Sequence, residues 1–505
     1  MALSTSIRRV LFIAAIALVA VTGVEATAAM HRPGNYNQTT HQIDKRATSG
    51  KINGAYYPNC RCALSDSVFC AAVPTDIKAA SLTHLFYAFA NVGSDGTIKL
   101  SDTWADEEKP FPGDSTKESG TNLYGCLKQL YLIELVHRNI KTVLSVGGGS
   151  YSHAGAFNFI TDSSKRSTFV KSAVQLVEDY GLDGIDIDFE FPDTTAKGSG
   201  LASLVTELRT SFDSLQKSKG DSVPYLVTAY DYIGSWTDIA DDQANLYGGS
   251  RTGVLTDKAM KDYVSRGVTE SKISMGLPLY GRSFESTDGL GKSYNGNSPG
   301  TSEEGVLFYR DLPLPGATVH EDTSDVASYS YDSSKREFVS YDTPNIAKLK
   351  AQYVVSKGLA GTFFWDLSTD RKGSGSLVDA TAGMYGSLDQ SQNNINYPSS
   401  KFDNIRNNMG KGSGSSTTST TSHKTTTTTR KTTTTTHKST TTTTHTTTPT
   451  SGSGKCSGVA AWNASTEYKP NQTVTYNGHL WSASDYSHND IPGNYANIWI
   501  DKGAC

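Results

Sequence analysis

Seven short apolar runs alternate with longer amphipathic stretches between Lys51 and Gly410. They are Ile52 to Tyr57, Leu82 to Val92, Lys141 to Val146, Asp183 to Glu190, Val223 to Tyr230, Lys272 to Leu279 and Leu359 to Trp365. Their length and their β-branched and aromatic content predict strands. Leu123 to Arg138 and Leu201 to Gln216 carry apolar residues at helical spacing, and Val174 to Tyr180 reads as a helix end with Gly181 as its stop. Strands alternating with helices predict parallel βαβ units, and the length of this region fits an α/β fold of the TIM-type (β/α)8 barrel. A closed barrel of that type needs eight strands, so one strand-helix unit is lacking.

The fourth run, Asp183-Gly-Ile-Asp-Ile-Asp-Phe-Glu190, carries the candidate chemistry. Side chains alternate across a strand, so Asp186, Asp188 and Glu190 share one face while Ile185, Ile187 and Phe189 take the other. The apolar face suits a buried parallel strand covered by helices. Carboxyl groups gathered at the mouth of a strand can share protons, and an acid kept protonated near neutrality can protonate a leaving group. A calcium loop would place Gly, Asn or Ser between its acids, where this strand has Ile, Ile and Phe.

Composition divides the rest of the chain. Arg8 and Arg9 precede an apolar run from Val10 to Val21 and small residues through Ala29, which reads as a secretory signal peptide over 1–29. Lys45-Arg46 resembles a processing site, which would give a propeptide over 30–46 and a mature chain from Ala47; the alternative is a plain exposed pair of cations. No other stretch is long and apolar enough to cross a bilayer, so secretion with no membrane attachment is expected after cleavage. The six cysteines fit an oxidising compartment. Cys456 and Cys505 bracket the final segment and are expected to pair. Cys60, Cys62, Cys70 and Cys126 leave three connectivities open, and no His spacing supports a zinc site. The net charge of −4 argues against a nucleic-acid partner. Residues 411–454 are almost entirely Thr, Ser and Gly with scattered cations. Such a tract cannot bury apolar surface and reads as an extended, O-glycosylated linker. Residues 455–505 form a separate small β-rich module, aromatic-rich, with one disulfide as its staple. Asn463 and Asn471 begin sequons on it.

The eight residues from Asp183 to Glu190 match the DxxDxDxE signature of family 18 glycoside hydrolases, and the chain resembles the secreted fungal-type chitinases of that family. Further motifs carry the resemblance in order: Ser145-Val-Gly-Gly148, Tyr230-Asp231-Tyr232, Met275-Gly-Leu-Pro-Leu-Tyr-Gly-Arg282 and Trp365-Asp366. All fall at strand C-termini, where barrel enzymes place their chemistry. Against the family, Pro224-Tyr-Leu-Val-Thr-Ala-Tyr-Asp-Tyr232 begins like the fifth strand and ends like the sixth, which locates the lost unit. The catalytic barrel then spans 47–410. Its segment from about 283 to 339, too long for a loop, corresponds to a small α+β insertion that walls a groove. Four departures stand out: Phe189 and Phe191 where relatives have Trp and Tyr, Gly149 in place of a Trp, and Thr228 in place of a Met. The final module resembles chitin- or cellulose-binding modules of families 5 and 12, with Trp462, Trp481, Tyr486 and Trp499 as candidate platforms for sugar rings.

The resemblance implies a retaining, substrate-assisted chitinase, acting as a monomer on chitin or chitin oligomers without cofactor or metal. It makes Glu190 the acid, Asp188 the holder of the substrate acetamide, Asp186 the residue that tunes Asp188 through a shared proton, and Tyr230 a donor to the acetamide oxygen. Asp231, Tyr280 and Arg282 would contact the sugar, Trp365 would form the floor, and Gly147 and Gly148 would let the backbone pass close by. Two other readings are a non-catalytic chitin-binding lectin on the same fold and an endo-N-acetylglucosaminidase.

Overall fold

The computed structural model describes residues 18–20, 50–59, 74–410 and 455–505, apart from 116, 231–236, 250, 252, 254, 302, 464–465, 470–471, 484–486, 489–491 and 493–498. The signal peptide (Leu18–Ala20 excepted), the propeptide, the linker, Cys60, Cys62, Cys70, Asp231 and Tyr486 therefore lie outside the described residues.

All seven expected strands form: β2 (Ile52–Pro58), β3 (His84–Val92), β5 (Lys141–Gly147), β6 (Gly184–Asp188), β7 (Leu226–Tyr230), β8 (Ile273–Pro278) and β14 (Gly361–Trp365). A short β4 (Ile98–Leu100) adds an antiparallel edge to β3. The seven run parallel wherever they pair with one another, in the order β14-β2-β3-β5-β6-β7 on one side and β14-β8 on the other.

β7 and β8 do not pair with each other. Between them lies β1 (Leu18–Ala20), antiparallel to both, with Val19 opposite Ala229 on one side and Ile273 on the other. The lost unit therefore leaves a slot one strand wide, filled by backbone of Leu18–Ala20. Unpaired donors and acceptors on two facing edges are costly inside a barrel wall, and an extended segment satisfies both edges at once.

Helices cover the outside of the sheet. α1 (Gly125–Val136) and α4 (Thr195–Lys219) cover the two expected helical stretches, α3 (Ser163–Tyr180) ends where expected, and α6 (Pro344–Ser356) precedes β14. Their ends carry the signals that stop and start helices. Asp162 accepts from Ser164 N and Lys165 N at the head of α3, and Gly181 closes it in the left-handed region at φ 71°. Among the described residues between β7 and β8 there is one α-helix, α5 (Thr256–Ser265). Ile185 and Ile187 point into the helix-facing core, as their alternation requires, whereas Tyr56, Phe86, Val143 and Phe363 fill the barrel interior. Cys126, on α1, is buried and bonds to no other cysteine among the described residues.

The insertion consists of β9 (Tyr280–Phe284), β10 (Val306–Phe308), β11 (Thr318–Asp322), β12 (Ala327–Asp332) and β13 (Glu337–Ser340), joined antiparallel in the order β10-β9-β13-β12-β11. Among its described residues, helix is limited to one 3-10 turn, Tyr309–Asp311.

The C-terminal unit is held by the expected disulfide, Cys456–Cys505, with Cα atoms 5.2 Å apart. Its main sheet comprises β16 (Thr473–Tyr476), β17 (His479–Ala483) and β19 (Trp499–Ala504). Trp499 is buried at 6% exposure against Tyr468, edge to face at 5.1 Å. That corrects the expectation for Trp499: a ring enclosed in the core offers no face to a sugar. Trp462 and Trp481 pack on the same core but stay half-exposed.

Candidate active site

The C-terminal ends of the barrel strands open into a cleft of about 750 Å³. Its lining includes Asp188, Glu190, Tyr280, Arg282, Trp365 and the Gly147–Gly148 pair, all expected from sequence. Their positions follow from the strands. Asp186 and Asp188 lie two residues apart on β6 and share its inner face, Asp186 deeper at 0% exposure and Asp188 at 1%. Glu190 lies two residues beyond the strand end and is half-buried.

Ser152, on α2 (Gly149–His153), fixes the turn between Asp188 and Glu190. Its hydroxyl donates to the Asp188 carbonyl at 3.2 Å and accepts from the Glu190 N–H at 3.1 Å. The Asp188 carbonyl also accepts from Gly148 N at 3.0 Å. This approach depends on glycine. Gly147 has φ 121°, and a Cβ there would stand 2.1 Å from the Asp188 carbonyl oxygen and 2.8 Å from the Phe157 ring. Gly147→Ala should therefore destabilise the chain by about 1–3 kcal/mol from backbone strain alone and displace Asp188. Thermal melting and oligomer turnover measured together check this, and an unchanged pair of values would refute it.

Asp186 is enclosed by hydroxyls. Tyr56 Oη and Ser145 Oγ donate to Oδ2 at 2.8 and 2.7 Å, and Thr228 Oγ1 donates to Oδ1 at 2.6 Å. Burial pushes the Asp186 carboxyl up, and the three hydroxyl donors act against that shift.

Trp365 ends β14 and forms an aromatic floor with Phe89, the rings stacked with centroids 5.4 Å apart. Tyr280 and Arg282 alternate onto one face of β9, with the guanidinium carbon 5.8 Å from the phenol ring centroid. The insertion contributes Glu303 and Val306 to one side of the cleft. Tyr230 ends β7 in register with Asp188. The structure thus gathers seven of the expected residues around the cleft and buries Asp186 outside its lining.

Sequence reading missed further polar residues of the lining, among them Asn59, Asn91, Asp102, Tyr151 and His153. It also missed the Asp186 clamp. Ser145 lies within a motif already singled out, but the Tyr56 and Thr228 contacts arise from the register of three strands.

A family model described as glycosyl hydrolases family 18 matches residues 55–228 and 224–370. The two matched stretches overlap on 224–228, within the run that begins like one strand of the family and ends like the next. Chitinase 1 of Aphanocladium album is 39% identical over 402 residues, covering 73% of this chain and 93% of that protein. Endochitinase 1 of Metarhizium robertsii is 36% identical over 434 residues, covering 79% and 99%. Among solved structures, a class V chitinase from Nicotiana tobaccum in complex with NAG4 superposes with a TM-score of 0.55 at 20% identity, over 66% of this chain and 98% of the other.

Proposed function

The chain belongs to the glycosyl hydrolases of family 18 and hydrolyses chitin, and from that premise we propose which of its residues do the work. Glu190 protonates the glycosidic oxygen as the bond to the leaving sugar breaks. The carbonyl oxygen of the substrate's own N-acetyl group attacks the anomeric carbon, giving a cyclic oxazolinium ion. Asp188 accepts a hydrogen bond from the acetamide N–H and offsets the positive charge on the ring. Tyr230 donates to the acetamide oxygen and orients it. Glu190, now a carboxylate, takes a proton from the water that opens the ring with retention of configuration. Trp365 stacks beneath the sugar, and Asp231, Tyr280 and Arg282 hold its polar edge.

The observation that supports this reading most is the joint placement of Glu190, Asp188 and Trp365 in one open cleft. Assay of the full chain on colloidal chitin and on a high-mannose glycopeptide tests it. Release of chitin oligomers with the glycopeptide untouched is expected. Cleavage of the glycopeptide alone would favour an endo-N-acetylglucosaminidase, and tight binding without cleavage a lectin.

The C-terminal unit is proposed to hold the enzyme on solid chitin, with Trp462 and Trp481 as its half-exposed rings. Secretion is proposed on the leader-like N-terminus and the disulfide; among the described residues no helix is long and apolar enough to cross a membrane. Cutting the chain within 411–454 should leave turnover of soluble oligomers unchanged and lower that of crystalline chitin, because the unit acts through local concentration. Equal loss on both substrates would show that it supports the catalytic fold instead.

A further inference from the structure

We propose that Thr228 is a positioning residue for the reaction: its hydroxyl completes a three-donor clamp that fixes Asp186 as an immobile carboxylate. The inference rests on the roles proposed above for Asp188 and Glu190.

The geometry divides the clamp unequally. Tyr56 and Ser145, from β2 and β5, both serve Oδ2 of Asp186, and Thr228, from β7, serves Oδ1 at 2.6 Å. Register sets this arrangement, since Ser145 and Thr228 are the direct neighbours of Asp186 on either side. Asp186 and Thr228 are both buried, at 0% and 2% exposure. Around Asp186 the titrating groups are the Tyr56 phenol across the barrel interior and, along its own chain, Asp188 and Glu190. β5 and β7 present only hydroxyls to it. Among the described residues no Lys, Arg or His donates to it.

Hydrogen bonds rather than a counter-ion favour the charged form of a carboxyl so enclosed. Burial drives the carboxyl upward, and of the three hydroxyls opposing that drive Thr228 has the largest effect. With the Thr228 hydroxyl in place, Oδ1 is engaged and Asp186 acts as a fixed negative charge beneath Asp188. Without it, Oδ1 loses its hydroxyl donor in a buried site and becomes the atom that takes up a proton. Asp186 would then exchange protons with its neighbours over the pH range in which the enzyme works.

Thr228→Val removes the hydroxyl at nearly constant volume, and Thr228→Ser keeps it. Two measurements on the full chain separate the outcomes. In the first, the carboxyl carbon of Asp186 is titrated by NMR without substrate. Its midpoint should rise by about one to two pH units in Thr228→Val, the effect of losing one hydrogen bond to a charged group, and stay at the wild-type value in Thr228→Ser. In the second, kcat and KM for a soluble chitin oligomer are followed against pH. The acidic limb of kcat should move upward by a similar amount in Thr228→Val, with KM unchanged, and Thr228→Ser should superimpose on wild type. An unmoved carboxyl titration overturns the clamp. A moved titration with an unmoved kcat profile overturns its part in the reaction. The NMR titration needs no turnover, so it reads the clamp even if chitin proves not to be cleaved through Glu190.

Discussion

Glu190→Gln will lower turnover of an unactivated chitin oligomer by roughly 10²- to 10⁴-fold while leaving the melting temperature near that of the wild type. The amide keeps the shape of the side chain but has no acidic proton for the leaving oxygen. Stability should hold because Glu190 lies beyond the end of β6, half-buried at the cleft, and its N–H still meets the Ser152 hydroxyl. The substitution must be assayed on a substrate with a poor leaving group, since an activated aryl glycoside departs without help. Turnover within a few-fold of wild type on such an oligomer would remove Glu190 from the acid's role.

The second large effect concerns the slot between β7 and β8. A chain that begins at Ala47 lacks β1 and so exposes two strand edges inside the barrel wall. Losing a few backbone hydrogen bonds, each contributing about 1 kcal/mol net, should lower the melting temperature by roughly 5–10 °C. The exposed edges should also drive the shortened chain into larger species on a sizing column. A peptide spanning Ile16 to Thr22, added in excess, should restore part of the loss, because binding only to the folded state stabilises it by mass action. A chain carrying an inserted strand-helix unit between β7 and α5 should need no peptide. Equal melting of the long and short chains, with both monomeric, would show that the slot needs no occupant.

The sequence exposed the frame of this molecule because the frame is local. Each parallel strand is an apolar run short enough to be distinguished from a helix, and Gly181 marks the helix end that delivers the chain into β6. The carboxylate ladder was legible for the same reason: alternation puts Asp186 and Asp188 on one face whatever the neighbours are. What could not be read depends on register between distant segments. Nothing near Thr228 announces that its hydroxyl meets Asp186, and nothing near Tyr56 does either. The loss of one unit was visible in the fused run ending at Tyr230, but its remedy was not. Leu18–Ala20 has the composition of a leader core, and an antiparallel strand of three residues leaves no periodic trace. Trp499 shows the converse: its aromatic type was informative, but burial against Tyr468 decides its use.

Leu18–Ala20 lie in the stretch that reads from sequence as a leader core, and in the fold the same three residues bridge β7 and β8. A chain cut after that stretch keeps the seven parallel strands and loses the bridge between two of them.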